Sequence, residues 1–253
     1  MSVLWTPEKL AALPTSDDVR QRGVEITRLE TFCDAAFAFA VTLLVIGEGG
    51  IPKSYQELVT ALKGIPAFAA SFALIARFWW AHRTWSRRYG LEDALTTLIS
   101  LTFVFVTLVY VYPLKMVFSA FAAWVSRGWL PSQFVMNDPR DMLGIFAVYG
   151  LGFAAQSGML ALLYWRVLGA GTELCLNEIE RLRTRQAIAE HLALGSTGLA
   201  SAAWALIFPP RVGLFAGFLY MTLPMSMPWL AIRYNRRINT LRERSAEGRT
   251  PTS

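Results

Sequence analysis

Hydrophobic positions along this chain gather into six runs, each about as long as a hydrocarbon core is thick. At 1.5 Å per residue, a helix needs about 20 apolar residues to cross. The first run covers about 29–49, and Gly47, Gly49, Gly50 and Pro52 close it in the manner of a helix C-terminus. Residues 53–64 read as a short amphipathic helix. The second run begins at Pro66, a favoured first-turn residue, and ends near Ser86. The third covers about 94–114, with room to continue past Pro113 to Trp124, and the fourth about 142–165. The segment 174–190 reads as an amphipathic stretch or an extension of the fifth run, which covers about 191–208 and is closed by Pro209-Pro210. The sixth covers about 212–232 and carries Pro224 and Pro228, where neighbouring helices can satisfy freed backbone groups. The pattern predicts an all-α, polytopic integral membrane protein with six transmembrane helices. It divides the chain into an N-terminal tail (1–27), a six-helix membrane domain (28–232) and a basic C-terminal tail (233–253). Residues 1–27 lack a signal-peptide pattern, so the first run is expected to stay as a membrane helix.

Composition agrees with this division. Hydrophobic residues make up 54% of the chain and charged ones 17%, against about 45–50% and about 25% in soluble domains. Many of the nine Trp sit near run ends, as interfacial belts do. A pI near 9.6 raises nucleic acid as a partner, but the basic residues flank apolar runs instead of forming a soluble face, so that class is excluded. Charge also orients the chain. Counting alternate connections, 17 Lys and Arg fall with the two tails and the loops after runs two and four. Six fall on the other side: Lys53, Lys63, Lys115, Arg127, Arg140 and Arg211. The positive-inside rule then places both termini in the cytoplasm of a cell-membrane protein, with the basic C-tail on anionic lipid headgroups. Cys33 lies in an apolar run and Cys175 in a predicted loop, so no disulfide is expected.

Ionisable residues inside a membrane are functional candidates. Here they are Asp34 in run one and Arg77 and His82 in run two. Asp34 and His82 reach similar depth on antiparallel neighbours, and Arg77 can snorkel towards Asp34. Such a cluster either fixes helix packing or relays protons. Run one also has small residues, Ala35, Ala36, Ala38 and Ala40, that permit close helix approach. Phe39, Thr42 and Ile46 lie on one stripe, which serves either packing or a pore lining. Gln156 and Ser157 read as interhelical hydrogen-bond partners, and His191 as a boundary residue. No nucleophile–base set, phosphate-binding glycine loop or metal cluster stands out, so neither an enzyme nor a cofactor is expected. No repeat relates the two halves, against a transporter built from two repeats.

The segment Arg28-Leu29-Glu30-Thr31-Phe32-Cys33-Asp34, followed by AAFAFAVTLLVI, resembles the start of the transmembrane protein 175 family of potassium channels. Arg28, Phe32 and Asp34 match that family's R-x-x-x-F-S-D motif, and Thr42, Leu43 and Leu44 its T-L-L. Trp79 and His82 match its aromatic-W-x-x-H motif on the second helix. Cys33 replaces the motif serine, and Phe39 stands where members usually carry isoleucine at the pore constriction. The resemblance implies a homotetramer whose first helices surround a central pore permeated by potassium ions. Phe39, Thr42 and Ile46 would line that pore, with an apolar constriction as the gating device. Arg28, Phe32, Asp34, Arg77, Trp79 and His82 would form the motif and polar network. Glu48 would set an acidic ring at the outer mouth. A proton-coupled or other secondary transporter using Asp34, Arg77 and His82 is the alternative, and a non-conducting scaffold a third class.

Overall fold

The computed structural model describes residues 5–46, 51–132 and 134–247. Helix α1 (Pro7–Ala12) leads into a two-stranded hairpin, β1 (Thr15–Ser16) and β2 (Val19–Arg20). Long helices follow: α2 (Arg28–Ile46), α3 (Tyr55–Lys63) with α4 (Ile65–Tyr89), α5 (Ala94–Val125), α6 (Pro139–Gly169) and α7 (Glu178–Ile207). A short α8 (Pro210–Gly213) and a 3₁₀ stretch (Leu214–Thr222) then feed α9 (Leu223–Glu247).

The boundaries follow local chemistry. Ser54 caps α3 by accepting from the Glu57 backbone N–H at 3.2 Å, and α3 meets α4 at a 42° bend beside Gly64. Gly90, at φ +57°, ends α4 in the left-handed conformation that glycine tolerates. α5 runs straight through Pro113, one of the two extents the sequence allowed. Asn177 and Glu180 form a capping box that starts α7, so the amphipathic segment and the fifth run are one helix. The proline-rich sixth run starts as 3₁₀ turns and then continues as α9 past residue 232 without a break.

Among the described residues, three helical stretches are by themselves long and apolar enough to cross a membrane: Ala94–Val125, Pro139–Gly169 and Pro210–Arg244. The bent α3–α4 pair makes a fourth if counted as one span. α2 and α7 fall short because Arg28, Glu30 and Asp34 occupy the first two turns of α2, and the first half of α7 is charged. Large apolar side chains such as Phe105, Tyr112 and Leu206 lie exposed on the bundle surface, where lipid would cover them.

The closest helix pair is α6 against α7. A Cβ at Gly150 would sit 2.5 Å from the Gly198 carbonyl oxygen, and one at Gly198 would sit 2.6 Å from the Gly150 oxygen. Only glycine at both positions allows this approach, the membrane solution to tight packing without a hydrophobic drive between helices.

Residues 5–27, expected as a tail, instead fold into a cap on the basic end of the bundle. Asp17 (φ +49°) and Asp18 (φ +65°) form the two-residue turn of the hairpin, and both point a carboxylate outward. Asp17 pairs with Arg88 of α4 at 2.7 Å, and Asp18 with Arg183 of α7 at 2.9 Å and with Arg242 of α9. Arg22, fully buried, meets Glu180 through two hydrogen bonds of 3.0 Å and donates to the Leu174 carbonyl at 3.0 Å. Burial alone would raise the Glu180 carboxyl; the hydrogen bonds from Arg22 and from the Arg20 and Asn177 backbones outweigh it and hold it low. Asp18 is likewise depressed, its burial outweighed by Arg183 and Arg242.

Because both groups titrate lower in the folded chain than in the unfolded one, their stabilisation is complete at neutral pH. It is lost as pH falls below the ordinary carboxylate values of 4.5 and 3.8. We therefore expect purified protein to lose thermal stability steeply on acidification below that window. Glu180→Gln should cost about 3–5 kcal/mol at neutral pH by leaving Arg22 buried and uncompensated, and should flatten the acid dependence. The double variant Arg22→Met/Glu180→Leu should lose less than Glu180→Gln alone. A double variant as unstable as the single one would show that the pair acts through something other than paired charge.

Candidate functional site: the two faces of the first helix

α2 divides into two faces. Glu30, Cys33, Phe37, Ala40 and Leu44 follow one another at three- and four-residue spacing and are buried. Phe37 packs on Phe103 of α5 with ring centroids 5.6 Å apart. The opposite line, Thr31, Ala35, Ala38, Phe39, Thr42 and Val45, is exposed and uncharged. Phe39 is 55% exposed, although it sits mid-helix in the most apolar part of the segment. Thr42 donates its hydroxyl to the Ala38 carbonyl at 3.0 Å, which satisfies the proton inside its own helix and leaves the oxygen on the bare face. Ile46 closes α2, with its side chain outside the described residues, and Glu48 lies outside them altogether.

Polar contacts fasten the packed face at three levels. At the base, Thr27 accepts from the Glu30 backbone N–H at 3.0 Å, and the Glu30 carboxylate pairs with Arg87 at 3.2 Å. One turn on, the Trp79 indole N–H donates to Asp34 at 2.7 Å. At the far end, the Lys115 ammonium donates to the Leu44 carbonyl at 2.6 Å.

The expected polar network is thus divided. Asp34 and Trp79 meet. His82, buried, lies on the next face of α4, within 3.1 Å of the Ser100 hydroxyl and stacked on Phe103 at 5.5 Å. Arg77 does not snorkel to Asp34. It stands two residues from Trp79, about 200° round α4, and is exposed. Arg28 and Phe32 are exposed at the start of α2. Gln156 exchanges hydrogen bonds with Thr107, as an interhelical partner should, and His191 is buried against Tyr164 instead of marking a boundary.

This geometry has known counterparts. Residues 28–113 match the family described as endosomal/lysosomal potassium channel TMEM175. A curated protein named potassium channel, from Marivirga tractuosa, is 35% identical over 208 residues, 79% of this chain and 83% of its own. The chain belongs to the TMEM175 family. The crystal structure of the potassium channel MtTMEM175, a threonine-to-alanine variant bound to a nanobody–MBP fusion, superposes with TM-score 0.77 at 31% identity. That match covers 88% of this chain and all of the other. A TMEM175 homolog from Chamaesiphon minutus, described as a lysosomal potassium-selective channel, shares the fold at TM-score 0.53 and 19% identity, over 82% of this chain and 97% of its own. The resemblance drawn from Arg28, Phe32, Asp34, Trp79 and His82 therefore holds, and the family is one of channels, not enzymes.

Within this TMEM175 chain, Lys115 is the contact that sequence reading missed. The charge count places it in a connection, although the third run has room to extend over it; it lies inside α5 at 8% exposure, two residues past the family match. The Leu44 carbonyl is buried, and the charge-assisted bond from the ammonium ties α2 to α5 there. Lys115→Met keeps the volume and removes the donor. We expect a loss of about 2 kcal/mol or more in thermal stability, because a charge-assisted bond to a buried carbonyl is removed. Lys115→Arg should recover part of it. Unchanged stability in Lys115→Met would refute the anchoring role.

Proposed function

We propose that the chain assembles as a tetramer in the cell membrane and conducts potassium along an axis lined by the bare faces of four α2 helices. The observation that carries this reading is the exposed, uncharged line Ala35, Phe39, Thr42 and Val45 on a helix whose other face is fixed at three levels. The family relatives named potassium channels support the ion. Phe39 supplies the apolar constriction, closed to water and ions while dry, and Thr42 supplies a ring of oxygens one turn beyond it. A carrier built on Asp34, Arg77 and His82 is disfavoured because no hydrogen bond or ion pair joins the three among the described residues: Asp34 is held by Trp79 and His82 by Ser100.

Current through purified protein in a planar bilayer, under opposed potassium and sodium gradients, tests the reading. Phe39→Ala should raise the current severalfold and relax selectivity, because removing four phenyl rings eases wetting. Phe37→Leu, on the packed face, should leave the current near wild type. Equal currents from both variants would place Phe39 against a neighbour and not at the axis.

Six spans with both termini cytoplasmic complete the proposal, supported by the 17-to-6 distribution of basic residues. Reporter fusions after residues 60, 128 and 210 should read outside, and those after 90, 180 and 245 inside. An outside reading at 245 would overturn the span count.

A further inference from the structure

Three arginines close α4, and two have carboxylates: Arg87 pairs with Glu30 and Arg88 with Asp17. Arg83 has none among the described residues. Its guanidinium sits over two indoles instead, 5.7 Å from the Trp79 ring and 5.4 Å from that of Trp80. Trp80 is 58% exposed, so the group faces outward from the bundle. A guanidinium held against aromatic rings keeps in-plane N–H donors available, the arrangement that receives a phosphate bidentately. α9 repeats the pattern at the same basic end, with Arg233 lying 5.4 Å from the Trp229 ring four residues before it. Indoles followed by arginine at the end of an apolar run mark a membrane interface.

We infer that Arg83, with Trp79 and Trp80, binds the phosphate of an anionic phospholipid, and that Trp79 passes occupancy to the first helix through its hydrogen bond to Asp34. The route is short: guanidinium to the Trp79 ring at 5.7 Å, then indole N–H to Asp34 at 2.7 Å. A phosphate fixes Arg83 over both rings, which fixes the Trp79 indole and its hold on α2. Charge complementarity selects the occupant; this rests on the topology proposed above, in which the basic end of the bundle faces the leaflet that carries anionic lipid. The site needs no conduction through α2, so it stands apart from the channel reading.

The test uses full-length protein, delipidated and then exposed to phosphatidylcholine with or without phosphatidylglycerol. Native mass spectrometry counts bound lipid, and thermal unfolding reads its effect. Wild type should retain phosphatidylglycerol and gain stability from it. Arg83→Gln should bind it about fivefold more weakly, the worth of one basic contact with an anionic surface, and lose the gain. Trp79→Phe keeps a ring beneath Arg83 but lacks the N–H to Asp34; it should retain the lipid and lose the gain. Equal phosphatidylglycerol binding by wild type and Arg83→Gln would overturn the site, whether or not Arg83→Gln also lost subunit assembly. Inorganic phosphate alone reproducing the stability gain would overturn the lipid as occupant. A gain that survives in Trp79→Phe would overturn the route to Asp34.

Discussion

A helix that packs on one side only must be held by that side, and in a membrane the hydrophobic effect does not supply the hold. Lipid is as apolar as the neighbouring helix, so association rests on packing and on polar groups that find partners. α2 shows this directly. Its packed face carries Glu30, Asp34 and the carbonyl of Leu44, each answered from another helix, by Arg87, Trp79 and Lys115. The contacts span fourteen residues of α2, about 21 Å of helix. Between them Cys33, Phe37 and Ala40 are buried, with Ala36, Val41 and Leu43 packed beside them, and these set the spacing to the neighbouring helices.

The same arrangement explains why the other face is bare. Rotating α2 to bury Phe39 would break all three contacts together and strand Asp34 and the Leu44 carbonyl without partners, at a cost of several kcal/mol each in hydrocarbon. The base of the helix is further restrained by the cap. Arg87 donates to the Gly23 and Val24 carbonyls at 3.1 Å each, just before α2 begins. The hairpin ahead of that segment is pinned by Arg88, Glu180, Arg183 and Arg242. The start of α2 thus inherits its position from four arginine–carboxylate contacts drawn from α4, α7 and α9.

How much of this was legible in the sequence depends on range. Run lengths located every long helix, because span length is a local property. The boundaries moved where polar residues extended a helix beyond its apolar core, as in α7 from Glu178 and α9 past Arg233. Lys115 lies beyond the shorter of the two extents the sequence allows for its run, and the carbonyl it serves lies 71 positions away, out of reach of local pattern. The cap was read as a tail for the same reason: Asp17, Asp18 and Arg22 are ordinary surface residues until Glu180 and Arg183 are folded beside them. Asp34 reads in the sequence as costly to bury, and depth alone offers Arg77 and His82 as its partners; in the structure the part-buried carboxylate accepts instead from Trp79 of α4. The bare face was legible as a stripe; only packing showed that it is bare.

If four α2 helices surround an axis, their anchoring restricts how the pore can open. A rigid rotation or withdrawal of α2 must break Glu30–Arg87, Asp34–Trp79 and Leu44–Lys115 in concert, three contacts that each involve a charged group. A rotamer change at Phe39 breaks none of them, since the ring is 55% exposed and pairs with no other ring among the described residues. The inexpensive motion is therefore at the side chain, and wetting of a constriction needs only about the width of a water molecule to change. The polar contacts of the packed face and the apolar ring of the bare face are then two halves of one device: the first keeps the helix still, so that the second alone decides whether the axis is wet.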